Sequence, residues 1–540
     1  MGVWKDLFRD TAAGQLWRLV AGPESLPYPE EKSGFQPPGI PEKPSFSVPS
    51  SSKPSTDAEA PSPVPSADDI IDTTKVDWYG ADDLECPHNW STFKKTLVSA
   101  EISILTFSIY IGSSIVTTAE PTFIEIFGVS QQVSSLSLSL YVLGYGVGPL
   151  FFSPLSEVPT LGRNFAYILS LGLFLVVSIA ASLVDNYPGF LVVRFLQGFL
   201  GSPVLATGGA SAADLFGFHK LYYGLVAWTC AAFAGPAIGP VISAFAVEQA
   251  TWRWTMYELL ILGGFSFLLL VFLMPETNAD TILLRRARRL RQITGNEALR
   301  SDSERRQADI SFLGLLAKYF STPLKVTVQD PSIAFINIYT ALIYAIYYSY
   351  FESFPLVYEG IYNFSLGSLG IVFTALLIAC SIGAATYLVV VYKIYEPYTI
   401  KNGVGVPEFR LVPGIWTAVT APIGVLIFGL TARPNIHWAV PTLGVLIYSA
   451  SQFVIGAVIF FYLATSYPRY SASLFAGNTF FRSALAAGAV HYSQPLFGNL
   501  GIAGGCGVLA GLLVACFFGI SAIWYFGAKL RARSKFAESY

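Results

Sequence analysis

The chain has 540 residues, of which 53% are hydrophobic and only 13% charged, with a formal net charge of −2. Soluble domains carry about 25% charged residues, so lipid rather than water must be the main solvent of this chain. A pI near 6.1 excludes the basic surface that nucleic-acid binding needs. Five scattered cysteines, with no CxxC pair and no histidine at ligand spacing, exclude a disulfide scaffold and a zinc site.

The first 95 residues read as a cytoplasmic tail. Trp4, Leu7, Phe8, Leu16, Trp17 and Val20 recur at helical spacing, which suits a helix lying on the membrane surface and equally a frayed tail. Asp6 stands where a myristoylation signal has Ser or Thr. No basic segment precedes an apolar core there, so a cleaved signal peptide is not expected. Pro and Ser dominate from Pro27 to Asp69, the composition of a disordered linker.

After Lys94-Lys95 the chain becomes a series of apolar runs, each near the roughly 20 residues that cross a bilayer. They fall at 98–118, 132–152, 165–184, 189–211, 221–246 and 255–274, then at 334–354, 367–391, 413–431, 438–463, 471–492 and 502–526. These twelve runs predict an all-α membrane protein with six-span halves at 96–274 and 334–527. Residues 275–333 join the halves through a basic surface helix, Arg285 to Arg291, and 528–540 form a second tail. With both termini cytoplasmic, only Arg253 and Arg433 among the Lys and Arg fall outside, while Arg194 and Arg482 lie within spans. The positive-inside rule therefore sets the orientation. On this map Asn363-Phe364-Ser365 is an external sequon open to glycosylation, and Asn89-Trp90-Ser91 is cytoplasmic.

Enzyme chemistry has no foothold in the sequence. There is no phosphate-binding GxxxxGK[ST] run, no HExxH, no GxSxG, and the four histidines are far apart. Gly144 to Gly148 superficially matches a dinucleotide loop, but it lies inside a span and reads as helix packing. Two sixes of spans without an ATP motif point to a secondary transporter that needs no cofactor and runs on an ion gradient.

Several polar residues stand out inside the spans. A helix-centre Arg costs about 2.5–3.5 kcal/mol on insertion scales, so Arg194 needs a polar interior, a partner or a route to the interface; Gln197 shares its face. Arg482 lies deeper, with Asn478 four residues earlier on the same face. It suits either a cavity or a tie to a backbone carbonyl. Span 7 sets Asn337, Tyr344, Tyr348 and Glu352 on one stripe, suited to flat or cationic ligands through stacking and cation–π contact, or to interfacial packing. Gln452 adds a hydrogen-bonding group from span 10. Glu352 is a candidate for carrying a proton in a low-dielectric setting, or else an outer-end residue in water. Glu258 and Glu101 are further candidates.

After span 2 comes Gly148-Pro149-Leu150 and then Pro154-Leu155-Ser156-Glu157-Val158-Pro159-Thr160-Leu161-Gly162-Arg163-Asn164. This resembles the signature between spans 2 and 3 of the major facilitator superfamily, with longer spacing and Asn164 in place of a second base. In this form it is similar to fungal drug:proton antiporters conferring benomyl, fluconazole and caffeine resistance. Arg194-Phe195-Leu196-Gln197-Gly198 resembles the superfamily's intramembrane Arg motif. Gly235-Pro236-Ala237-Ile238-Gly239-Pro240 resembles its antiporter motif, with Ala231 and Ser243 where flanking glycines are usual. Trp252-Arg253-Trp254, Pro275-Glu276-Thr277, Phe351-Glu352-Ser353-Phe354-Pro355, the opening Phe8-Arg9-Asp10-Thr11 and the closing Lys529 to Phe536 also match.

The resemblance implies a monomeric, proton-coupled exporter of small hydrophobic or cationic toxicants, embedded in the plasma-membrane bilayer. Gly148, Glu157, Gly162 and Arg163 would form its gating turn, and Arg194 would shape the cavity and assist proton release. A dedicated exporter of an endogenous metabolite would show the same features. An uptake symporter is disfavoured by the antiporter motif and by the absence of an Arg-rich gate in the loop from Lys393 to Val412. A receptor or channel would need only a pocket or pore.

Overall fold

The computed structural model describes residues 2–32, 34–35, 74–217, 220–307, 314, 321, 325–403, 405–467 and 471–533. Residues 36–69 of the expected linker and the end of the closing motif, 534–536, lie outside the described residues.

Among the described residues, eleven helical stretches are long and apolar enough to cross a membrane. Their starts are set by local chemistry. Ser91 caps span 1, Thr92–Ser114, by accepting from the Lys94 amide. Asn186 caps span 4 through the Gly189 amide at 2.7 Å. Asp330 caps span 7, Pro331–Phe354, by accepting from Ser332 and Ile333, and Pro331 fits the first turn because the amide hydrogen it lacks would have no helical partner there. Span 4 breaks into Tyr187–Gly201 and Val204–Leu215 at Ser202-Pro203, where proline has no amide to continue the ladder.

The stretch Ser471–Arg533 is two helices that part at Gly501, whose φ of 69° and ψ of 168° are non-helical. A continuous rod of that length would far exceed the bilayer core, and Gly505 lies against Phe497, so Gly501 is where the chain turns back. One expectation changes: the predicted loop after span 8 is shorter. Helix continues past Val390 through Glu396–Asn402, and a 3-10 turn, Pro407–Leu411, leads into span 9, Val412–Thr431.

The halves meet along two seams. Span 5, Leu221–Gln249, packs on span 1 and crosses to span 8, whereas span 2, Leu136–Ser156, packs on span 4 and crosses to Ser471–Arg533. Glycines permit this closeness. A methyl at Gly144 would collide with the Phe195 carbonyl, and one at Gly148 with Ser202 and the Phe199 carbonyl. Gly235 and Gly239 press against the span 1 backbone at Ile111 and Ile115, and Pro236 and Pro240 lie buried in the same helix. Small residues allowing backbone contact are the usual basis of helix association in lipid.

The tail is folded rather than frayed over its described part, and Trp4, Leu16, Trp17 and Val20 stay exposed on its helices. Helices Gly2–Asp10 and Ala12–Ala21 and the turn Pro29–Glu31 lie at the end of the bundle where span 1 starts and span 6 ends. Lys94 pairs with Asp10 at 3.1 Å, and Thr11 bridges to Pro275. The basic helix, Ala279–Thr294, buries the face that carries Arg286 and leaves Arg288, Gln292 and Ile293 exposed. Arg286 is 1% exposed and reaches Asp83 at 2.6 Å, Glu85 at 3.1 Å and Glu30 at 3.2 Å. Arg289 lies 3.7 Å from the Tyr28 ring centre and 3.0 Å from Glu85. Burial alone would raise the Asp83 carboxyl, but Arg286 and two backbone amides hold it below its usual value.

Candidate functional site: a bridged midplane, a sealed inner face and an outer vestibule

The midplane carries a polar and aromatic cluster built from both halves. Arg482 donates to the Tyr110 hydroxyl at 2.8 Å and lies 4.7 Å from the Tyr344 ring centre. Tyr145 bonds both Tyr344 and Tyr348 at 2.9 Å, and Tyr348 bonds Ser113 at 2.9 Å. One turn inward, Asn478 donates to Asn337 at 3.1 Å and to Thr340 at 2.6 Å. Arg482 Nε, Asn478 Oδ1 and Gln452 Oε1 are buried without hydrogen-bond partners among the described residues. Leaving such atoms unmade costs about 1–3 kcal/mol each, so this is where a ligand with complementary groups gains most.

The sequence-derived candidates divide between two places. Asn337, Tyr344, Tyr348, Asn478 and Arg482 meet in this cluster. Arg194 and Gln197 sit elsewhere, inside the first half. Arg194 is fully buried, donates to the backbone carbonyls of Ser137 at 3.0 Å and Gly112 at 2.6 Å, and reaches Gln197 at 3.2 Å. Its guanidinium lies 4.3 Å from the Tyr141 ring centre. It ties spans 1, 2 and 4 together rather than snorkelling outward. Tyr110, Ser113 and Tyr145 were not singled out from sequence; hydroxyls inside apolar runs were the only signal for them.

At the face where span 5 starts, the halves are closed against each other. Tyr222 stacks on Phe461 with ring centroids 3.8 Å apart. Arg410 donates from Nε to the Tyr222 hydroxyl and from Nη2 to Thr399 at 3.1 Å, with only 2% exposure. Tyr223 donates to Glu396 at 2.6 Å, and Trp228 contacts the rings of Phe460 and Phe475. Arg410 thus does in the loop before span 9 what a cluster of arginines was expected to do in a symporter.

The turn after span 2 is locked from two directions. Arg163 pairs with Asp214 at the end of span 4 at 2.6 Å. Glu276 accepts from the Arg163 amide at 3.1 Å and the Asn164 amide at 3.3 Å, capping the positive end of the helix Gly162–Leu183. Gly162 has φ 80°, and a methyl there would strike the Glu276 carboxylate. Glu157, half-buried beside this pair, has its carboxyl pushed up to about 7 by burial; Asp214 adds to the rise and Arg163 opposes it.

Opposite the sealed face lies a cavity of about 720 Å³ between the outer ends of spans 1 and 7 and the residues around Gly501. Phe351 and Glu352 line it, and Phe351 rests 5.3 Å from the ring of Tyr348, which is buried behind the cavity wall. Glu352 is 6% exposed and accepts from Gln494 at 3.1 Å. Glu120, missed in the sequence because it follows the predicted end of span 1, also lines the cavity. Glu101 is buried with neither oxygen bonded among the described residues, and Glu258 is half-buried. Asn363 is exposed on the loop beyond span 7, with φ 55°. No group of three or more His, Cys, Asp or Glu among the described residues could hold a metal.

Two helical bundles, a polar midplane shared between them, one sealed face and one open face define a membrane carrier. The chain belongs to the Major Facilitator Superfamily, whose pattern its residues 102–490 match. It is 41% identical to the MFS-type transporter pyvG of Aspergillus violaceofuscus, across 98% of this chain and 99% of that one. It is 37% identical to the cycloheximide resistance protein of Candida maltosa, across 88% and 87% respectively. The crystal structure of the human organic anion transporter MFSD10 superposes with a TM-score of 0.56 at 14% identity, covering 79% of this chain and 99% of that one.

Proposed function

We propose that this protein exports structurally diverse hydrophobic or cationic toxicants across the plasma membrane in exchange for protons, by alternating access. Residues 96–274 and 334–527 are the moving halves, Gly501 makes the turn between spans 11 and 12, and both termini are cytoplasmic. The protein works as a monomer. The observation that carries this reading is the asymmetry of the two faces about a buried polar cluster shared by both halves: stacked rings close one face while a cavity opens on the other. Rocking the halves about the tyrosine–Arg482 cluster would reverse that access. Stacking faces with an orphaned donor and orphaned acceptors suit ligands that vary in shape. The kinship with the cycloheximide resistance protein supports a toxic cargo.

The test is retention of a fluorescent hydrophobic cation by cells expressing the protein. Export should lower retention, and collapsing the proton gradient with an uncoupler should restore it. Unchanged retention after the gradient is collapsed would remove proton coupling.

A further inference from the structure

The outer vestibule holds more acid than transport of an apolar cargo requires. Glu120 comes from the first half and Glu352 from the second, and they are 5% and 6% exposed. The Ser135 hydroxyl donates to Glu120 Oε2 at 2.9 Å and also engages Glu352, so one residue links the two carboxylates. Gln131 donates to Glu120 from one side and Gln494 to Glu352 from the other, at 3.1 Å each. Glu120 Oε1 is buried, lines the cavity and has no hydrogen-bond partner among the described residues. No Lys or Arg lines the cavity. Two carboxylates that share one site without a cation cannot both ionise at low cost. A single proton held between them satisfies the orphaned oxygen and removes the repulsion.

We propose that Glu120 and Glu352 form one proton-binding latch joining the outer ends of the two halves. This rests on the export reading above and deepens it. When a proton arrives through the vestibule from the external water, it neutralises the pair and the outer ends of spans 1 and 7 draw together. When the pair loses that proton, two like charges face each other across the seam and push the halves apart. Glu359 also lines the vestibule, His491 bonds Ser139 at 2.8 Å and Gln132 at 3.3 Å, and Tyr187 stands behind Glu120. None of these bridges the halves through a carboxylate pair.

The experiment uses the full chain, purified without substrate or gradient, with spin labels at Ile126 and Leu356, which are exposed at the outer ends of spans 1 and 7. The distance between the labels is read by pulsed electron resonance from about pH 5 to about pH 8, the range over which a coupled carboxylate pair exchanges its proton. The expected result is a distribution that lengthens as pH rises. Glu120→Gln and Glu352→Gln should each fix it at the short distance, and the double substitution should do no more than either alone. Glu120→Asp should keep the pH response, which separates loss of the latch from loss of fold. A response that persists in either Gln variant, as titration of Glu359 or His491 would give, overturns the latch. So does additive loss in the double variant. Either result leaves proton-coupled export standing, whereas an unchanged retention assay removes export without touching the latch.

Discussion

Tyr222 and Phe461 lie face to face across the cytoplasmic seam, with their ring planes 2° apart. One belongs to the first half and the other to the second, so the pair exists only while that face is shut. An aromatic pair contributes about 0.5–1.5 kcal/mol beyond its buried area. Tyr222→Ala also takes away the hydroxyl that receives Arg410. The variant should raise the inward-open population roughly two- to tenfold. A cysteine placed at Thr479, whose hydroxyl reaches the Leu205 carbonyl across the same seam, would report this as faster labelling from the cytoplasmic side.

The cap on span 3 should be sensitive to a single methyl. Gly162→Ala meets both an unfavourable φ of 80° and the Glu276 carboxylate. Glu276→Ala leaves the first amides of the helix unbonded, a loss of about 0.5–2 kcal/mol for a typical cap. Both variants should lower the thermal midpoint of the purified protein, and Glu276→Gln, which keeps an acceptor oxygen, should lower it less than Glu276→Ala.

The ring and the hydroxyl of Tyr344 can be separated. Tyr344→Phe keeps the face under Arg482 and loses only the bonds to Tyr145 and Tyr348, each worth about 1 kcal/mol. Tyr344→Ala also removes a cation–π contact that is worth up to about 2 kcal/mol when desolvated. Efflux rates corrected for surface expression should fall modestly in the first and by more than about tenfold in the second. Equal losses would mean that the hydroxyl, not the ring, is what matters.

Glu157 gives a pH dependence of definite sign. Its carboxyl is pushed from 4.5 to about 7 by burial, so folding favours the neutral form. The stability it contributes is complete below about 4.5, declines as pH rises, and is lost by about 7. The acids of the N-terminal clamp run the other way. Asp83 and Asp10 are held below their usual values despite burial, Asp83 by Arg286 and Asp10 by Lys94 and Arg9. Their contribution is present above the ordinary carboxylate range and lost as pH falls below it. Glu157→Gln should flatten the decline in thermal midpoint between about pH 5 and about pH 7, while leaving release of the N-terminal segment in acid unchanged. Limited proteolysis would read the second effect.

How much of this was legible in the sequence follows from the range of each interaction. The spans were legible because hydropathy is local, and Gly162-Arg163 announced a tight turn. The partners of that turn were not, because Asp214 and Glu276 stand 51 and 113 positions from Arg163. Asn478 and Arg482 share a helical face by spacing alone. That Tyr110 receives Arg482 depends on how two halves are docked, which no spacing encodes. Glu120 was passed over because it falls just beyond the predicted end of span 1, where hydropathy cannot tell a buried acid from a loop. The expected loop from Lys393 failed for a related reason: a charged, proline-bearing stretch still forms helix where Arg410 holds its Tyr395 and Thr399.

The cytoplasmic clamp ties together segments that are made far apart in time. Glu30 and Arg289 are separated by 259 positions, so the acidic N-terminal segment leaves the ribosome long before its basic partner exists. Until the helix Ala279–Thr294 emerges, Glu30, Asp83 and Glu85 have nothing to close upon. All six spans of the first half must therefore be inserted before the clamp can form. Its closure waits on synthesis of the whole first half, and it brings Glu30 and Arg289, from either side of that half, within 3.5 Å of each other.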